Sequence, residues 1–158
     1  MWMIEDLEPF PDAPCVGEVC EPSTYWATPG ILEVPDEMIC EITAFVEEVT
    51  VRGQTERVAH LGEGFTTMVP ESLNAIGETT LAGCLVWDRY LWLDYRTQPT
   101  GRVRVAERAS LCRRAVRAPT GPPGWHSVRH VGPARRLRGA RVSDDYEVVS
   151  HALLVSLV

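Results

Sequence analysis

The side chains of this sequence with the widest chemical range are four histidines (His60, His126, His130, His151) and five cysteines (Cys15, Cys20, Cys40, Cys84, Cys112). His126 and His130 stand four apart, which on a helix would turn both imidazoles to one face as half of a metal site. The segment APTGPPG, residues 118–124, directly precedes them and favours extended chain, on which the two rings share a face but lie farther apart. No HExxH pattern surrounds them, so the reading is two surface histidines and no metal. Cys112 precedes Arg113 and Arg114, and a guanidinium beside a thiol favours the nucleophilic thiolate. Cys15 and Cys20, in CVGEVC, are near enough to bridge, but nothing else points to an oxidising compartment or to a recognised metal spacing. Cys40, Cys84 and Cys112 fall on apolar faces and read as small core residues, and His151 sits in an apolar run that would bury it. The sequence contains no GxSxG, phosphate-binding loop or dinucleotide fingerprint, and with no lysine it has no Schiff-base chemistry. No catalytic residue and no cofactor is assigned. An enzyme built on His126, His130 or Cys112 stands as an alternative.

Charge is the stronger signal. Residues 1–51 carry twelve acids and no base, whereas eleven arginines between Gly101 and Arg141 face one acid, Glu107. The two ends pair within a chain, between chains, or with separate partners. A contact between chains would run head to tail, with charge setting register and encounter rate. The candidate acidic interface is Glu18, Glu21, Glu33, Asp36 and Glu37. The candidate basic interface, also fit for phosphate, is Arg129, Arg135, Arg136, Arg138 and Arg141. Nucleic acid is a secondary partner: Trp125 could stack on a base, but a zinc-finger spacing, an RNA-binding signature and an overall basic balance are all missing.

The elements that must position these residues follow from periodicity. Six prolines between Pro9 and Pro35 predict an extended, acidic N-terminal arm over 1–34. Met38, Ile39, Ile42, Phe45, Val46 and Val49 recur at helical spacing and predict a helix over 35–48, against a competing alternation of Cys40, Ile42, Ala44 and Val46. Gly53-Gln54 predicts a hairpin, and TTLAGCLVWDRYLWLDYRT two antiparallel strands about Asp88-Arg89. Arg104–Arg117 fits either helix or strand, APTGPPG stops regular structure, 125–131 is a short strand and 132–145 a basic loop. The last segment, YEVVSHALLVSLV, is apolar on both sides and predicts a strand inside a sheet.

The expected fold is therefore α+β, a mainly antiparallel sheet with one or two helices and a proline-rich arm. It forms a single domain over 1–158, with the α+β core at 35–158. No apolar run is long enough to span a bilayer, and the first ten residues carry acids where a secretory signal needs bases, so a soluble intracellular protein without a membrane partner is expected. In layout alone, an arm, charged loops and no catalytic signature, the chain resembles the ring-forming neck and tail-completion proteins of tailed bacteriophages. That resemblance implies a virion component and transfers no functional residue. The expected function is non-catalytic assembly, with itself and other assembly proteins as partners.

Overall fold

A computed structural model describes residues 1–5, 13–137 and 145–158. Ten strands make up the described chain: β1 Trp2–Glu5, β2 Val19–Cys20, β3 Thr24–Ala27, β4 Cys40–Val51, β5 Gln54–Gly62, β6 Phe65–Val69, β7 Gly77–Trp87, β8 Val103–Pro119, β9 His126–Leu137 and β10 Tyr146–Leu157. The only helical pieces among the described residues are two three-residue 3-10 turns, Asp36–Met38 and Leu91–Leu93. The α+β expectation is thus wrong: the fold is nearly all β and contains a five-stranded barrel.

The predicted helix over 35–48 is the largest correction. From Cys40 the chain is strand β4, with Ala44 and Val46 buried and Glu41, Thr43 and Phe45 exposed on the alternate face. The alternation wins because β-branched residues lose little in an extended chain and Phe45 is not needed inside. At the next hairpin, Val51 faces Gln54 and the turn is Arg52-Gly53, both at positive φ, one residue earlier than expected. This two-residue turn matches the twist of the strands it joins. The second strand expected after Asp88 does not form. Asp88 Oδ1 accepts the Tyr90 N–H at 2.6 Å, which turns the chain into a 3-10 turn that buries Leu91 and leaves Trp92 and Leu93 exposed.

Strand β7 organises the sheet. Its first half pairs with β4 (Val46↔Gly77 to Cys40↔Gly83), and its second half pairs with β3 on one side and, in parallel, with β1 on the other. The circuit β7-β3-β6-β5-β4 closes on β7 as the barrel. From the same strand the sheet continues outward through β1 and β10 to β8, whose far edge is shared by β2 and β9. The N-terminal segment is accordingly not a free arm. Trp2, Met3, Ile4 and Glu5 are all buried, and three strands come from residues 1–34.

Two cores follow from this layout. Trp26, Val46, Ala59, Phe65, Leu81 and Leu85 fill the barrel, continuous with Met3, Leu153, Val103 and Val155. On the opposite face of the outer sheet, Trp2, Ile4, Ala109, Leu111 and Ala152 are covered by Leu32, Val34 and Met38 from the β3–β4 connection. A bulge makes the change of face possible. Leu154↔Glu107 is followed by Val155↔Val105, so one extra residue of β8 shifts Val103 and Val105 to the barrel side while Ala109 and Leu111 keep the other. Strand β10 lies between β1 and β8 and buries Ala152 and Leu153 in succession, one on each face, as a strand inside a sheet must.

Candidate functional site

Strand β8 is seventeen residues long, about 56 Å at the usual rise, and it outruns its neighbours. Segment Arg104–Arg117, which fitted helix or strand, lies within it. The pairs Val86↔Ile4, Ile4↔Ala152 and Ala152↔Ala109 mark the level at which β7 is ending. Beyond it β10 stays alongside to Arg114↔Tyr146, and then only β9 accompanies β8, to Pro119↔His126. From Ala109 to Pro119 the ribbon advances roughly 30 Å along the strand direction. Every residue from 116 to 130 is exposed. The segment 118–124, expected to stop regular structure, is the tip of this arm: β8 runs through Pro119, and Thr120 and Trp125 close the turn by an N–H···O bond of 3.0 Å. Residues 132–137, expected as loop, belong to β9.

The base of the arm is irregular. On β9, Gly132, Pro133 and Ala134 stand opposite the single residue Arg113, and on β10 Val149 is an extra residue opposite Leu111 and Cys112. Two bulges at one level bend the ribbon as it leaves the sheet. A cleft of about 370 Å³ opens there, lined by Ile4, Leu32, Leu111, Arg113, His130 and Val149.

The acids and arginines meet at this base, inside one chain. Leu32, Val34 and Met38, buried or half-buried on the outer core, hold the segment between them over β8 and β9. Glu33 therefore pairs with Arg113, and Glu37 accepts from Arg136 Nε at 2.8 Å. Arg136 also reaches Glu107 at 3.0 Å and lies over the Trp2 ring at 5.2 Å. Glu21 lies 3.9 Å from Arg102, and Glu18 accepts the Cys15 N–H at 2.7 Å. Asp36 is exposed in the first 3-10 turn. Arg135 lies over the Tyr146 ring at 5.9 Å, and Arg129 is exposed on the arm opposite Val116. Arg138 and Arg141 lie outside the described residues. Pairs of this kind are worth about 0 to 1 kcal/mol each at a surface, so they seat a loop more than they stabilise a fold.

The histidines and cysteines do not converge. His126 Nδ1 sits 3.2 Å from the Gly124 carbonyl, while His130 Nε2 lies 3.1 Å from Glu147 Oε2. On one strand the two rings are roughly 13 Å apart, too far for one metal ion. Among the described residues no three His, Cys, Asp or Glu side chains cluster to hold one. Glu147 is held below the usual carboxylate range by its hydrogen bond from Arg117 and then by His130. Cys112 is buried and burial pushes its thiol up, the opposite of activation; Arg113, turned to the other face, is engaged by Glu33 and the Gly132 carbonyl. Burial and the neighbouring Cys40 push Cys84 up to about 12. His60 lies 2.8 Å from Glu47, and His151 3.4 Å from the Ser110 hydroxyl. Ser150, the hydroxyl in the cleft, donates to the Glu5 carbonyl at 2.7 Å.

What sequence reasoning missed is the arm itself. Its signal was present: the mirrored runs Ala115-Val116-Arg117 and Ser127-Val128-Arg129 about PTGPPGW read as two strands and a turn once paired. Among the described residues no helix is long and apolar enough to cross a membrane. Comparison with protein-family models, with curated proteins and with solved structures finds no match to this chain.

Proposed function

We propose that this protein is a non-catalytic assembly protein that forms a homo-oligomer, with the β8–β9 arm as its principal contact. The observation that carries the reading is the arm: fifteen consecutive exposed residues in a two-stranded ribbon, tipped by Trp125 at 70% exposure and flanked by exposed Val116 and Val128. A two-stranded ribbon is marginal in water, and its apolar side chains gain nothing from solvent. Covering by a second surface supplies the missing burial. A ring in which each subunit lays its arm on the next is the finer form of this reading, and a neck or tail-completion ring of a tailed bacteriophage its most specific one.

The source of the attraction differs from what the charge split suggested. Glu33 and Glu37 are occupied by Arg113 and Arg136 of their own chain, so assembly rests on the apolar arm and tolerates salt. Sedimentation velocity across protein concentration, at low and high salt, tests this on the full chain and on a variant with residues 116–129 replaced by Asn-Gly. A concentration-dependent oligomer that the shortened variant cannot form is the expected result. A full-length monomer at every concentration would refute the proposal. One observation favours nucleic acid as a second reading: the hairpin from Arg114 to Val131 carries three arginines, two histidines and an exposed tryptophan but no acid. Tight, salt-sensitive DNA binding lost with the arm would support that reading instead.

A further inference from the structure

We infer that the receiving surface for the arm is the outer face of the barrel around Phe45 in a second copy of this chain, an inference that rests on the assembly reading above. Across β7, β4 and β5 one row of outward side chains runs Glu78, Phe45, His60, by the pairings Phe45↔Glu78 and Phe45↔His60. Phe45 is 54% exposed, and its ring lies 6.3 Å from that of His60. Glu47, two residues after Phe45, and Glu41, four residues before it, lie on the same strand face and extend an acidic border. A large apolar side chain beside Glu78 and the His60-paired Glu47, with Glu41 farther along the strand, is a surface for an apolar, basic partner and repels phosphate.

The arm has that complementary character on one of its two faces. Strand alternation and the pairings Val116↔Arg129 and Arg114↔Val131 put Arg114, Val116, Arg129 and Val131 together. The other face carries Arg117 and His130, which Glu147 of the same chain already holds. The Val116 face thus offers two cations about an apolar centre, opposite in sign to the border of Phe45, which sets register and encounter while the apolar contact supplies the affinity.

Register sets the two features apart within one chain. Phe45 sits opposite Glu78, near the start of β7, whereas the arm leaves beyond the level of Val86, near its end. Glu78 to Val86 spans roughly 25 Å along the strand, and the arm, bent at its base, adds roughly 30 Å of ribbon beyond that end. A feature and its complement at opposite ends of one molecule make a heterologous contact, which propagates into a ring or a filament.

Mixing two variants tests this. The shortened-arm variant keeps the Phe45 face, and Phe45→Arg keeps the arm; because Phe45 is exposed the second variant folds, as far-ultraviolet circular dichroism checks. Each alone sediments as a monomer, and an equimolar mixture gives a heterodimer, since one intact arm then meets one intact face. If Phe45→Arg assembles like the unmodified chain, the receiving surface is elsewhere and this inference fails while the assembly reading stands. If both variants stay monomeric when mixed, the arm does not seat on this face and the inference fails as well. If the unmodified chain is itself a monomer, both fail.

Discussion

Replacing Gly83 by alanine will damage the barrel at the point where β7 changes partners. Gly83 is the last residue of β7 facing β4, and its φ of +152° lies in a region that a residue with a Cβ rarely adopts. That conformation alone costs about 1 to 3 kcal/mol. A Cβ here would also stand 2.1 Å from the Ala27 carbonyl oxygen and 2.7 Å from Trp26 Nε1. Relief requires β3 to move by about an ångström, which disturbs the Ala27↔Cys84 pairing and the 3.2 Å bond from Trp26 Nε1 to the Ala82 carbonyl. Overpacking costs about 1 to 3 kcal/mol and a strained buried hydrogen bond about 1 more. The sum is about 3 to 7 kcal/mol, a large share of the roughly 5 to 15 kcal/mol that holds an ordinary domain together. Gly17 is the control: its φ is +93°, but a Cβ there meets nothing within 4 Å. Gly17→Ala therefore keeps the conformational cost and loses the collision, for about 1 to 3 kcal/mol. In urea, with a slope of about 2 kcal/mol/M, the midpoint of Gly83→Ala should fall below that of Gly17→Ala by about 1.5 M. Equal midpoints would show that β3 does not press on β7 at this residue, and the barrel closure described above would be wrong there.

Further outcomes follow from other parts of the fold. Glu56 is buried beneath the 88–100 loop; burial works to raise its carboxyl, but the Thr97 hydroxyl beside it and the N–H groups of Arg96 (2.6 Å) and Thr97 (2.7 Å) outweigh that and hold it below the usual carboxylate range. Its stabilisation is therefore present above the unfolded value and lost as pH falls through the folded one. Glu56→Gln should cost about 2 to 4 kcal/mol at neutral pH in chemical denaturation and give a shallower loss of stability toward acid. Leu153, fully buried against Met3 on the central strand β10, should cost about 3 to 5 kcal/mol as alanine, measured by thermal unfolding. Exposed Cys15 should react with a thiol reagent in the native protein, while Cys84 and Cys112 react only on the time scale of unfolding, as mass spectrometry of labelled peptides will report. Arg136→Ala, which removes one exposed pair, one half-buried pair and the cover over Trp2, should lower the melting temperature by only a few degrees.

The sequence by itself determined what depends on near neighbours. The apolar run in Tyr146–Val158 specified a strand covered on both faces, and Gly53 specified a tight turn. It also carried the two-ended charge. What it left open was every choice between two periodicities of similar strength, as at 35–48, where Phe45 reads as helix core until β5 and β7 take Ala44 and Val46 inward. Closure of the barrel, the parallel pairing of β1 with β7, the bulge that turns β8 from one core to the other and the pairing of Glu33 with Arg113 all join residues far apart in the chain. Only the tertiary structure decided these, because hydrogen-bond partners in a sheet are set by register between distant segments, and local propensity carries no information about which edge a strand will find.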